Sequence, residues 1–318
     1  MQEQLIKRAK ELLAEGKVQK VVGWKKGLFD EDITPAVFTS AEELDKDFVF
    51  NKYCAANLSK YLVKITREIE IKKSTTRMNN TMAKQRDPNA AETPIPSEVV
   101  LVFLKPNDTY SFTQLLKENR ITRSDVYAIG VPCQDSLEGG EPCVNCQNKK
   151  PVSCDELIGV EAEVPAVESN RMEMVEKLEA MTAEERYAFW QKEFSRCIRC
   201  NACRNICPAC TCEKCVFDNN ALYTSQKVAE TSFEESLFHI IRAWHVAGRC
   251  TDCGECSRVC PQGIPLHLLN RKFIKDINEI YGPYQAGADM ESKPAMLTFL
   301  ESDPETSIIS DRQEGGNE

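Results

Sequence analysis

Residues 1–16, MQEQLIKRAKELLAEG, place Leu5, Ala9, Leu12 and Leu13 at helical spacing in an otherwise charged stretch, and Gly16 closes the pattern. The period then changes. VQKVVGWKKG (18–27) is a short apolar run that reads as a buried strand. EVVLVFL (98–104) and DVYAIGVPC (125–133) are continuous apolar runs, the kind a sheet covered on both faces produces. Helical patterns lie between them over 41–69 and 111–120. Residues 72–97 are polar, carry prolines and show no period, so they are expected to form an exposed loop, functional or interacting given its length. Alternation of strand and helix predicts an α/β amino-terminal domain with a small parallel sheet, spanning 1–166. Ligands of such sheets sit beyond the carboxyl ends of the strands. That edge carries GWKKG, Lys105 to Asp108, and Val131 to Cys133, a candidate cofactor or partner site.

Strand patterns stop after residue 133. Residues 134–166 are loop-rich, and helical patterns cover 170–194, 231–248 and 265–281. A mainly helical domain is therefore expected over 167–285, followed by a polar tail at 286–318. The first helix is charged, unlike the apolar heart of a signal peptide, and no apolar run approaches the roughly 18 residues of a membrane span. A net charge of −9 gives no reason to expect nucleic acid or an anionic membrane as partner. A cytoplasmic location without membrane insertion is the expectation.

Sixteen cysteines change this picture. Cytoplasmic thiols stay reduced, so metal or cluster ligation is the ordinary reason for so many. Cys197, Cys200, Cys203 and Cys207 follow the spacing C-x2-C-x2-C-x3-C-P, and Cys250, Cys253, Cys256 and Cys260 repeat it. This is the spacing of bacterial two-cluster ferredoxins, present twice. Three thiolates on a short loop reach three irons of one cube. The fourth leads away, and in such proteins it serves the neighbouring cube. Cys197, Cys200, Cys203 and Cys260 are thus expected to hold one [4Fe-4S] cluster, and Cys250, Cys253, Cys256 and Cys207 a second. Pro208 and Pro261 follow the crossing ligands. Zinc sites pair two separated C-x2-C units instead, so two intact copies of this block speak against zinc.

Eight thiols remain. Cys210, Cys212 and Cys215 extend the first block, and Cys54, Cys133, Cys143, Cys146 and Cys154 lie in the amino-terminal half. A two-cluster ferredoxin has no use for them. Cys133, Cys143, Cys146, Cys154, Cys210, Cys212 and Cys215 are candidates for a further centre, a third iron–sulfur cluster or zinc; the alternative is a set of free buried thiols. Cys54, inside a helical run, reads as a buried thiol. His239 and His245 are six apart on one predicted helix and so face different ways. Their expected role is packing or hydrogen bonding, with His245 a candidate to tune a nearby cluster. Neither G-x-G-x-x-G nor G-x-x-x-x-G-K-[ST] occurs. Trp24 with Lys25 and Lys26 reads either as core or as the flank of a flavin.

The extension CPACTCEKC, the helix ending RAWHVAGRC, and GWKKG, FNKYCAANLSKYL, LLKENRITRSDVYAIGVPC and EPCVNCQNKKPVSCDELIG occur in this chain. Together they resemble the iron–sulfur beta subunits of coenzyme F420-reducing hydrogenases and formate dehydrogenases. The chain is more closely similar to dicluster relatives that accompany heterodisulfide-reductase-like and hydrogenase-like modules. The likeness covers roughly residues 15–280. Lys105-Pro106-Asn107-Asp108-Thr109-Tyr110 departs from the K-G-C-D-S-R segment of that family. The carboxyl-terminal part of F420-reducing members also has no counterpart, which argues against F420 as direct substrate. The resemblance implies an iron–sulfur electron-transfer subunit of an anaerobic redox complex. Its implied partners are a heterodisulfide-reductase-like flavoprotein, a hydrogenase or a formate dehydrogenase. The alternative is a flavin-bearing catalytic subunit that oxidises NADH or a similar hydride donor.

Overall fold

The computed structural model describes residues 1–133, 146–148, 150–159, 170–218 and 233–293. The chain divides into two compact units, Met1–Val167 and Glu168–Glu318.

The first unit is built on a five-stranded sheet of order β2-β1-β3-β4-β5. Its strands are β1 (Lys20–Lys26), β2 (Ile33–Phe38), β3 (Val100–Leu104), β4 (Val126–Gly130) and β5 (Glu156–Leu157). All neighbours run parallel except β1 and β2, which pair antiparallel with Trp24 opposite Pro35. Every residue of the central β3 is buried, which is why it reads as an unbroken apolar run. α1 (Gln2–Ala14) buries Leu5, Ala9 and Leu12, as its spacing predicts. α2 (Ala41–Asp47) is capped by the Ser40 side chain, which accepts from the Glu43 N–H. α4 (Pro106–Lys117) begins five residues before the expected 111, because Pro106 at its first position needs no amide partner. α3 (Ser59–Arg86) and α4 pack against β3 and against each other.

One expectation fails here. Residues 72–97 are not one loop: α3 (Ser59–Arg86) continues as helix through Arg86. Its buried positions end at Ile69, so beyond that point an exposed helix carries no apolar period to read. Local pairing supports it instead. Arg77 pairs with Glu70 at 2.9 Å, and Asn80 exchanges two hydrogen bonds with the Thr93 backbone. Asp87 and Pro88 end the helix. The expected small parallel sheet is present, with β2 added antiparallel as a partly exposed edge strand. Pro35 is tolerated there since an edge strand has one unpaired side.

In the second unit the expected helix over 170–194 is two: α5 (Glu173–Glu179) and α6 (Ala183–Ser195). Thr182 and Glu185 form a reciprocal capping box that starts α6 afresh. α7 (Ala202–Ile206), α8 (Phe233–His245), α9 (Glu255–Arg258) and α10 (His267–Tyr281) follow. α8 packs on α6 and α10, and the short α7 and α9 pack on each other. No helix among the described residues is long and apolar enough to cross a membrane. Most of the expected tail, from residue 294, lies outside the described residues.

Candidate metal centres

The two cysteine blocks fold alike. Arg199 and Asn201 in the first have φ of 58° and 62°; Asp252 and Gly254, at the same places in the second, have 57° and 72°. Left-handed residues at the third and fifth positions curl each loop back on itself. For three of them, which are not glycine, that costs roughly 1–2 kcal/mol apiece. Asn201 and Gly254 then start α7 and α9. The curl turns backbone N–H groups inward. Arg199 N–H donates to Cys197 Sγ at 3.4 Å, and Asp252 N–H donates to the Cys250 thiol.

Cys197, Cys200 and Cys203 line one pocket with Cys260 of the other block. The pocket is walled by Phe238, His239, Ile264 and Leu266 among others. The remaining four thiols act on one another. Burial pushes the Cys253 thiol well above its ordinary range, and Cys207, Cys250 and Cys256 push it further. Burial raises Cys250 too, helped by Asp252, Cys207 and Cys256. Cys256 is driven up to about 11 by burial; Arg242 opposes the rise and Cys207 and Cys203 add to it. Cys203 also reaches about 11, for burial first, with Arg242 opposing and Cys197, Cys260 and Cys200 adding. One pocket thus gathers three thiols of the first block with Cys260 of the second, and Cys207, Cys250, Cys253 and Cys256 lie within electrostatic reach of one another.

Residues 193–264 match the family described as a 4Fe-4S dicluster domain.

This segment is a 4Fe-4S dicluster domain.

The chain is also 30% identical over 131 residues to an F420-dependent formate dehydrogenase subunit beta of Methanocaldococcus jannaschii, covering 40% of this chain and 34% of the relative. It is 31% identical over 133 residues to an F420-dependent formate dehydrogenase 1 subunit beta of Methanococcus maripaludis, covering 41% and 33%. The chain thus matches about a third of the length of these relatives.

Several groups around the dicluster domain were not singled out by spacing. His239, not His245, faces the first pocket: His239 is buried on α8, while His245 is exposed. The His239 ring stacks on Phe194 at 4.5 Å, and Phe194 stacks on Trp190 at 5.3 Å. Burial, then the charges of Arg242 and Arg199, hold His239 down at about 3, so the ring is neutral. Asn270 Nδ2 donates to Cys256 Sγ at 3.6 Å. Arg271, fully buried, donates from Nε to both Asp252 oxygens at 2.9 and 3.1 Å.

The leftover thiols divide. Cys54 is packed in the core of the first unit, and burial pushes it up to about 11. At the carboxyl edge of the sheet, Asn107 Nδ2 donates to Cys146 Sγ at 3.5 Å. A Cβ on Gly130 would lie 3.2 Å from Cys154 Sγ. Cys133 is half-buried three residues beyond β4. Cys143 lies outside the described residues. Cys210 and Cys215 are half-buried and Cys212 is exposed in the second unit. No three His, Cys, Asp or Glu side chains among the described residues converge as the ligands of a single ion. Trp24 is core: it is fully buried, and its Nε1 donates to Ala56 O at 3.3 Å. Lys25 and Lys26 are paired with Asp47 and Asp30. Lys105, at the same edge, is buried with its Nζ donating to the carbonyls of Cys54, Ala55 and Ala56.

Proposed function

We propose that this chain is an iron–sulfur electron-transfer subunit of a cytoplasmic, formate dehydrogenase-like redox complex. Cys197, Cys200, Cys203 and Cys260 hold one [4Fe-4S] cluster, and Cys250, Cys253, Cys256 and Cys207 hold the other. The observation that carries this reading is the place of Cys260 in the pocket of the first block, the exchange of fourth ligands that a two-cluster module requires. The donor set fits the clusters in chemistry as well. The sites gather buried sulfur donors, and ligation by iron would deprotonate them outright. Once bound, the clusters supply reversible one-electron chemistry.

The protein's own residues do the rest. Phe194, Ile264 and Leu266 pack against Cys197, Cys203 and Cys256 and keep water from the sulfurs. Arg199 N–H and Asn270 Nδ2 donate to ligand sulfurs, which stabilises negative charge there. The Asp252–Arg271 pair pins the second loop to α10. Donor and acceptor are other subunits of the complex: a formate dehydrogenase by analogy with the matched relatives, or a hydrogenase or a heterodisulfide-reductase-like flavoprotein by resemblance.

A further iron–sulfur centre drawing on Cys133, Cys146 and Cys154 is a second reading. It is favoured by the position of Cys146 and Cys154 around the carboxyl edge of β3 and β4. Iron, zinc and flavin analysis of anaerobically purified protein tests both readings. About eight irons per chain supports the two-cluster relay alone, about twelve adds the further cluster, and about four or fewer overturns the relay. A stoichiometric flavin would move the catalytic alternative to first place.

A further inference from the structure

Arg242 lies on the inner face of α8, three residues after His239, and only 3% of it is exposed. None of its three nitrogens, Nε, Nη1 or Nη2, has a hydrogen-bond partner among the described residues. An arginine cannot lose its proton in a protein, so this is a permanent charge taken out of water. An uncompensated buried ion is strongly unfavourable, and buried charges are found paired. The groups that act on this one are thiols. Burial pulls against its charge, but Cys256, Cys203, Cys207 and Cys210, in that order, sustain it. Cys203 belongs to the pocket of the first block, and Cys256 and Cys207 to the other set. One buried guanidinium, a turn from His239 in the wall of the first pocket, thus lies within electrostatic reach of thiols of both sets. Its five N–H donors lie in one plane and point outward in more than one direction, so it can serve acceptors on two sides at once.

We propose that Arg242 is the counter-ion shared by the two clusters, a positioning residue that donates to the ligand sulfur of both and raises both reduction potentials. The proposal rests on the two-cluster reading above. Its logic is charge. Four thiolates make each site anionic, and each electron taken up adds one more negative charge. A fixed cation between the sites favours the reduced form of both.

The test is an EPR-monitored redox titration of the full chain, purified anaerobically, as wild type, Arg242→Gln and Arg242→Lys. Iron content of the wild type checks the two-cluster reading independently. With glutamine, both clusters should become at least tenfold harder to reduce at a given solution potential, a fall of about 59 mV or more for a one-electron couple. With lysine, which keeps the charge but not the fork, the fall should be less than half as large. Loss of iron from the glutamine variant but not from the lysine variant supports the same role. Unchanged potentials, a shift confined to one cluster, equal shifts in the two variants, or equal loss of iron from both would each overturn it.

Discussion

Asp252→Asn probes the joint between the second cysteine loop and α10. In the native chain both carboxylate oxygens of Asp252 accept from Arg271 Nε, at 2.9 and 3.1 Å, and Arg171 Nη1 approaches Oδ2 at 3.3 Å. Arg271 is fully buried, and its Nη1 donates to the Arg171 carbonyl at 3.1 Å. Asparagine is nearly isosteric and tolerates the left-handed φ of 57° at this position, so the backbone loses nothing. The whole effect is electrostatic: a guanidinium without access to water loses its counter-charge. Breaking a buried pair in this way costs about 3–5 kcal/mol, or two to three and a half powers of ten in the unfolding equilibrium. Urea unfolding of the anaerobic, iron-loaded protein, followed by tryptophan fluorescence, reads the change as a lower midpoint at constant slope. Arg271→Met should cost less in the Asp252→Asn background than alone, because the buried charge goes with it. A loss under about 1 kcal/mol for Asp252→Asn would refute the argument, since an exposed pair gives no more.

Asn270→Leu removes the donor to Cys256 Sγ; the loss of about 1 kcal/mol should lower the potential of one cluster by roughly 40 mV and leave the other unmoved in a redox titration. Gly254→Val forces a β-branched side chain to a φ of 72° and should cost about 2 kcal/mol or more in the same unfolding assay, while the equivalent Asn201→Gly is neutral or stabilising. Glu179 is held below the usual carboxylate range by hydrogen bonds from Lys272 and Lys275. A carboxylate lowered in the folded state adds stability above its unfolded value near pH 4.3 and loses it as pH falls further. Glu179→Gln should therefore cost up to about 1 kcal/mol at pH 7 and progressively less as pH falls below about 4.3, measured by thermal melting.

The parts of the molecule that were legible in the sequence are those whose signal is local. β3 and β4 read as strands because burial on both faces leaves an unbroken apolar run, and α1 because Leu5, Ala9 and Leu12 share one face. The cysteine blocks were legible because iron–sulfur spacing is set by loop geometry within a dozen residues. What escaped depends on contacts made at a distance. α3 beyond Ile69 is exposed and leaves no period, and β2 carries a proline that only its edge position permits. Among the residues around the thiols, His245 is a candidate to tune a cluster by sequence, but the turn of α8 points it outward and sends His239 and Arg242 in. The inner face of α8 could have been read from the apolar positions Phe238 and Ala243, with His239 and Arg242 as the polar intruders on that face. No comparable signal marks Asn270 or Arg271, whose partners lie 14 and 19 residues away.

The exchange of fourth ligands is the claim on which the relay, the pocket and the shared counter-ion all depend. Cys260→Ser tests it most directly, by comparing its low-temperature EPR spectrum after reduction with those of Cys203→Ser and Cys256→Ser. The account predicts that Cys260→Ser perturbs the signal that Cys203→Ser perturbs and spares the other. A spectrum matching Cys256→Ser instead would mean that each block keeps its own cluster, and would contradict the account.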